Sequence, residues 1–273
     1  MDGLGDLIGW INPPRFIVFA SYGNDSVALI QWAYEAELED VVVVYSDTKW
    51  SSPDWQRRVD QMERWVHRLG FTASRTTSMG FVDLARHKKA FPTQRYQWCS
   101  YILKIEPAMR WLEQNDPNAR SVCLVGVRRE ESQDRKSFPE YLVRSGNHGN
   151  RVMLAPLAGM DEAGRDELLR HAGVEPLPHR SMECSPCINS NKSDLRALTE
   201  ASIREVEDLE ADMDAEFGPT ANGNRRTLFR PHRHGGAVGI REVVKWANSK
   251  RGKYQPTEPE ENFGGCDTGF CGI

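Results

Sequence analysis

Two sets of residues along this chain have the types and spacing to do chemistry. The first is the loop Ser21-Tyr22-Gly23-Asn24-Asp25-Ser26, between the apolar run Phe16 to Ala20 and a helical pattern. Backbone N–H groups and a helix dipole in that position can cradle a phosphate. Ser21 and Ser26 add hydroxyls, and Gly23 lets a ligand approach the backbone closely. The Gly-Lys-Ser/Thr of a Walker loop is absent, so this is not a standard P-loop NTPase. A plain strand–turn–helix connection with Asp25 as cap competes for the same six residues. The second set is the cysteines. Cys184-Ser185-Pro186-Cys187 is a thiolate pair spaced to chelate one metal or one edge of a cluster. Cys99 supplies a third soft ligand, and Cys266 or Cys271 a fourth. A 4Fe–4S cluster and a zinc ion both suit four thiolates. Cys123 lies within an apolar run and reads as a small buried hydrophobe.

These groups need a scaffold, and the hydrophobic pattern gives one. Phe16 to Ala20, Val41 to Tyr45, Phe71 to Thr76 and Ser121 to Val127 read as strands, the apolar runs as strands buried on both faces. Helical patterns lie between them: Val27, Ile30, Tyr34 and Leu38, then Trp55, Val59, Met62, Val66 and Leu69, then Ile102 to Leu112. Ser52-Pro53 opens the second of these and Gly70 ends it. The alternation predicts an α/β fold, a doubly wound and mostly parallel sheet with ligands at the carboxyl ends of its strands. The character changes near residue 145. The pattern divides the chain into a nucleotide-binding domain, 1–145, and a helical, Cys-containing segment, 146–273. In the latter, Leu168 to Val174 reads as a short helix and Asn191 to Phe217 as one long amphipathic helix. Gly218 to Gly223 is a linker, and Arg225 to Lys253 is basic and dotted with Phe229, His232, His234 and Trp246. Such a stretch suits either nucleic-acid phosphates or a solvated face balanced by the acidic Glu205 to Glu216 helix.

The chain has 273 residues and a net charge of −4, which gives no global argument for nucleic acid. No apolar run is long enough for a membrane span. Met1 to Pro14 carries Asp2 and Asp6 and no basic leader, so the expected compartment is the reducing cytoplasm. There, six cysteines are not a disulfide framework.

The loop Ser21 to Ser26 resembles that of the PP-loop superfamily, roughly Ser-x-Gly-x-Asp-Ser. Tyr22 and Asn24 stand where many members have Gly and Lys. Ser46-Asp47-Thr48 is similar to the family's Asp-Thr after the second strand. Gly126-Val127-Arg128-Arg129-Glu130-Glu131-Ser132-Gln133-Asp134-Arg135 is similar to its arginine segment, suited to bidentate phosphate or sulfate recognition. Trp98-Cys99 to Pro107 resembles its Cys-x-x-x-x-Lys-x-x-Pro element, in which the cysteine is a cluster ligand and the lysine, here Lys104, faces the nucleotide. Cys271-Gly272-Ile273 is similar to the terminal Cys-Gly-Leu/Ile of sulfonucleotide reductases, without their Lys-Thr-Glu. The resemblance is to the phosphoadenylyl-sulfate reductase family. It implies an adenine nucleotide alpha hydrolase-like fold and a site of Ser21, Tyr22, Gly23, Asn24, Asp25, Ser26, Asp47, Thr48, Gly126, Arg128 and Arg135. Catalysis falls on Asp25, Ser26, Lys104, Arg128 and Cys271, with ATP, Mg²⁺ and a 4Fe–4S cluster or zinc as cofactors. The activity implied is ATP-dependent adenylation with pyrophosphate release and sulfur transfer, as in enzymes of DNA phosphorothioation or tRNA thiolation. A cysteine desulfurase or other sulfur donor and a nucleic-acid acceptor are then the partners. Sulfonucleotide reduction through Cys271 is the alternative, and a non-catalytic nucleotide- or DNA-binding subunit is a third.

Overall fold

The computed structural model describes residues 15–133, 135–229 and 238–249. Its strands are β1 (Phe16–Phe19), β2 (Val41–Asp47), β3 (Thr72–Thr77), β4 (Val122–Leu124), β5 (Tyr141–Ser145) and β6 (Arg151–Leu154). They form one sheet in the order β3-β2-β1-β4-β6-β5, parallel except for the β5–β6 pair. All four β1 residues are buried, as their apolar run requires of a central strand covered on both faces. The α/β, doubly wound, mostly parallel architecture read from the sequence is therefore present.

The helices are α1 (Asn24–Glu35), α2 (Pro53–Arg68), α3 (Phe81–Lys88), α4 (Glu106–Asn115), α5 (Glu162–His171), α6 (Lys192–Arg196), α7 (Glu200–Phe217) and α8 (Ile240–Asn248). The chain enters α4 through a helical turn at Trp98–Ser100 and a wider π turn at Tyr101–Ile105. Such turns recur at functional sites. The single helix expected over Asn191 to Phe217 is in fact α6 and α7. Asn191 caps the first, and Thr199 caps the second by accepting from Ser202 N, so the helix restarts at Thr199. The helix expected at Leu168 to Val174 begins earlier, at Glu162, where Asp161 caps it. The division expected between residues 145 and 146 falls inside the β5–β6 hairpin, and β6 beyond it pairs with β4. Cys123 is fully buried in β4, and burial pushes its thiol up to about 12. No helix of the described residues is long and apolar enough to cross a membrane.

A second core lies beyond the sheet. Trp50, Phe81, Phe91 and Leu103 meet Ile203, Val206, Leu209 and Met213 of α7 there. Glu210 fastens its edge. This carboxylate is 2% exposed, yet it accepts Leu228 N at 2.9 Å and Ile240 N at 3.0 Å. Glu210→Gln turns an amide NH₂ towards one of these N–H groups, with an expected loss of about 1–3 kcal/mol. A lower urea midpoint at unchanged slope would report it. Burial raises the Glu210 carboxyl above its ordinary value. The folded protein then keeps this proton to higher pH than the unfolded chain does. Its contribution is complete below the unfolded pKa and declines as pH rises through the folded one. The stability margin of wild type over Glu210→Gln is thus expected to narrow from acid to neutral pH, and a widening margin would contradict this.

Candidate nucleotide site

Three parallel strands end on one edge of the sheet: Ser21 to Ser26 follow β1, Thr48 to Trp50 follow β2, and Gly126 to Arg128 follow β4, the edge called the crevice below. β1 and β4 are neighbours from which the strand order runs in opposite directions, the place where open α/β sheets bind ligands.

The loop after β1 is closed by its own polar groups. Gly23 N donates to Ser21 Oγ at 3.3 Å, and Ser26 Oγ donates to Gly23 O at 3.2 Å. Tyr22 has φ 60°, the left-handed region that glycine adopts freely. Its ring turns into the core and stacks on Tyr45, with centroids 6.0 Å apart. The Tyr22 side chain is therefore core rather than crevice, and burial pushes its phenol far above the ordinary value.

Residues 177–182 pass over this loop. Asn24 Nδ2 donates to Leu177 O at 3.0 Å, and Leu177 N donates to Asn24 Oδ1 at 2.9 Å. A Cβ on Gly23 would lie 3.1 Å from Ser181 Cβ, so glycine is what permits the crossing. Ser52 N donates to Met182 O at 3.1 Å. Trp55, on α2, donates from its indole to Ser21 O at 3.1 Å and meets the His179 ring edge-on.

Asp25 opens α1 and accepts Arg128 Nε at 2.6 Å. Arg128 is 5% exposed, so this pair is sequestered from water. Gly126 allows the approach, because a Cβ there would meet Asp25 O at 3.2 Å. The remaining arginines of the segment are neutralised locally, Arg135 by Glu131 and Arg129 by Glu140.

Asp47 Oδ1 accepts Lys49 N at 2.8 Å. Thr48 is fully buried and donates from its hydroxyl to Glu183 O at 2.6 Å. Ser185 N donates to Trp50 O at 2.8 Å, and the Trp50 indole donates to Pro186 O at 3.2 Å. The Cys-x-x-Cys segment is thus docked on the loop after β2. Lys104, on the π turn, binds the Glu183 carboxylate. Burial raises Glu183, and Lys104 opposes that shift. The Cys184 thiol hydrogen-bonds Cys187, which lowers Cys187 to about 6 and raises Cys184. Cys99 lies within electrostatic range of Cys184.

Sequence, then, placed Cys99, Lys104, Cys184 and Cys187 in one neighbourhood but missed Glu183, whose only signal is its position directly before the cysteine pair. It also missed the polar roles of Trp55 and Arg58 on α2. Three soft thiols suit a cluster by donor chemistry. Among the described residues, no three His, Cys, Asp or Glu side chains converge to hold a single metal ion. Cys266 and Cys271 lie outside the described residues, as do Arg230, His232, Arg233, His234, Lys250, Arg251 and Lys253. Arg225 and Arg241 of the basic stretch are paired with Asp214, and with Glu200 and Glu207.

The family model for the phosphoadenosine phosphosulfate reductase domain matches residues 15–182. An uncharacterised protein of Methanocaldococcus jannaschii is 28% identical over 46% of this chain and 25% of its own length. A 37.8 kDa protein of Escherichia phage 186, also uncharacterised, is 24% identical over 72% of this chain and 67% of its own. The chain thus spans a quarter of the archaeal relative and about two thirds of the phage one. Among solved structures, phosphoadenylyl-sulfate reductase from Candida auris is 15% identical with a TM-score of 0.44, over 62% of this chain and 77% of its own. NMN synthetase from Francisella tularensis is 11% identical with a TM-score of 0.47, over 85% and 83%. With residues 15–182 inside that family model, the chain belongs to the phosphoadenosine phosphosulfate reductase domain family.

Proposed function

We propose that this protein is an ATP pyrophosphatase that adenylates an acceptor and supports sulfur transfer to it. One observation carries the reading. The segment that crosses the phosphate loop at Gly23 and Asn24 runs on directly into Glu183, Cys184 and Cys187. A nucleotide site and a thiol site therefore share one continuous stretch of chain.

In this reading the backbone of Ser21 to Ser26 holds the phosphates, and Asp25 and Asp47 supply hard oxygens for Mg²⁺. An acceptor oxygen attacks the α-phosphorus, the bond to pyrophosphate breaks, and Arg128 and Lys104 offset the charge that develops. A sulfur nucleophile then displaces AMP from the adenylated acceptor. Cys99, Cys184 and Cys187, with Cys266 as the fourth ligand, would hold a 4Fe–4S cluster, which supplies sulfide or electrons when bound. A nucleic acid, as a DNA phosphorothioate precursor or a tRNA, is the acceptor class, and a cysteine desulfurase the donor class. The family model itself favours a second reading, sulfonucleotide reduction. There the Cys271 thiolate attacks the sulfur, the bond from sulfur to phosphate oxygen breaks, and the nucleotide leaves with Cys271 as a thiosulfonate.

Pyrophosphate release from ATP, with acceptor and donor present, is the primary test. Asp25→Asn is expected to lower it at least about tenfold at unchanged fold, through lost metal and Arg128 contacts. Unaltered turnover would remove Asp25 from the site. No release with every partner present would leave a nucleotide-binding subunit instead. Anaerobically purified protein should be brown and carry iron and acid-labile sulfide, both lost in Cys184→Ser. Colourless protein with stoichiometric zinc would replace the cluster. Cys271→Ser separates the two enzymatic readings. Pyrophosphate release should survive it, whereas sulfite formation that requires Cys271 and no ATP would establish the reductase.

A further inference from the structure

The loop lacks the lysine that many PP-loop members carry, and its replacement does something else. Asn24 is occupied by both polar atoms of its amide, which hold Leu177. Arg128 and Lys104 are each already held by a carboxylate, so an anionic phosphate chain in the crevice calls for a further cation. The guanidinium groups nearby are mostly committed: Arg128 to Asp25 and Glu130, Arg135 to Glu131, and Arg165 to Glu162 and Asp166.

Arg58 differs from all of these. Among the described residues no carboxylate pairs with it. Its Nε donates to Tyr22 O at 2.8 Å, which sets the guanidinium against the phosphate loop itself. Its carbon Cζ lies 5.5 Å from the centre of the Trp55 ring, and the Trp55 indole holds Ser21 O. Two consecutive loop carbonyls are therefore gripped by one stacked Arg–Trp pair on α2. The Nη2 group of Arg58 is buried with no hydrogen-bond partner. A buried charged donor without an acceptor is costly, and it persists where something outside the chain satisfies it. Burial alone pulls the Arg58 pKa down, with no neighbouring carboxylate to oppose it.

We propose that Arg58 is the phosphate-binding cation of this site, taking the place of the loop lysine and reading the anionic phosphoanhydride of the bound nucleotide. The inference rests on the nucleotide reading above and adds to it a residue and a charge. The shared chemistry is a phosphoanhydride, whether of ATP or of a phosphosulfate, so both are probed. A guanidinium can grip two phosphate oxygens at once, and the stack on Trp55 orients its plane.

Calorimetry with ATP, AMP, adenosine, inorganic pyrophosphate and adenosine 5′-phosphosulfate tests it on the full chain. Arg58→Gln is expected to weaken ATP and pyrophosphate by about 10- to 100-fold and adenosine by less than about twofold. Arg58→Lys, which keeps the charge and loses the fork, should recover part of the loss. A larger loss for ATP identifies the triphosphate as the ligand, and a larger loss for the phosphosulfate identifies the sulfonucleotide. Unchanged ATP and phosphosulfate affinity in Arg58→Gln would overturn the assignment while leaving the nucleotide site standing. Equal loss of adenosine and ATP, unrescued by lysine, would also overturn it, because Arg58 would then be shaping the loop. Wild-type protein that binds none of the five would overturn this inference and the nucleotide reading together.

Discussion

β1 is the constraint on which the site depends. All four of its residues are buried, Phe16 to Phe19 pair with β2, and Phe16 to Val18 also pair with β4. A strand locked on both edges and covered on both faces cannot slip by one residue without turning apolar side chains out of register. Its end is fixed, so the position of Ser21 to Ser26 is fixed with it. The neighbouring ends of β2 and β4 inherit the same registration through their ladders with β1. The crevice is thus a consequence of sheet order, and its side chains are additions to a preset backbone geometry.

Charge within the crevice is arranged more tightly than a count of arginines suggests. The arginines in and near the loops would imply a strong positive field, yet carboxylates around Arg128, Arg129, Arg135 and Arg165 take up much of it. Arg128 bridges Asp25 and Glu130, and Glu131 faces Arg135 while accepting Arg128 N. Buried pairs of this kind contribute little net stability, because desolvation offsets the Coulomb gain, but breaking one leaves a costly lone charge. Arg128 therefore fixes the spacing between the loops after β1 and β4. The free positive charge of the crevice is the smaller remainder, which is why a guanidinium without a carboxylate is informative.

The sheet and the loop after β1 were legible because they follow from local pattern. Phe16 to Ala20 is a continuous apolar run, and the hydroxyls and glycine that follow mark a strand–turn–helix junction. The closeness of Cys184 and Cys187 was legible from their spacing. What escaped depends on contacts between segments distant in sequence. Nothing near Asn24 announces that its amide would meet Leu177, 153 residues away. Arg58 reads as one more polar residue on the outer side of an amphipathic helix, and its hydrogen bond to the loop appears only once α2 is laid beside Tyr22. Glu183 looks like a solvated charge until Lys104 and Thr48 arrive from two other elements. The break between α6 and α7 was within reach, since Thr199 precedes Glu200 and Ser202 at capping spacing, but the apolar periodicity on both sides obscured it.

The Lys104–Glu183 pair joins the two halves of the crevice in energetic terms. Glu183 is 4% exposed, and its ionised form is tolerable because Lys104 lies against it. A nucleotide phosphate brought near Lys104 would compete for the same ammonium group. Lys104 also acts on both thiols, favouring the thiolate at Cys184 and at Cys187. The ammonium group that steadies the Glu183 carboxylate thus also acts on both thiols, in the segment that crosses the loop after β1.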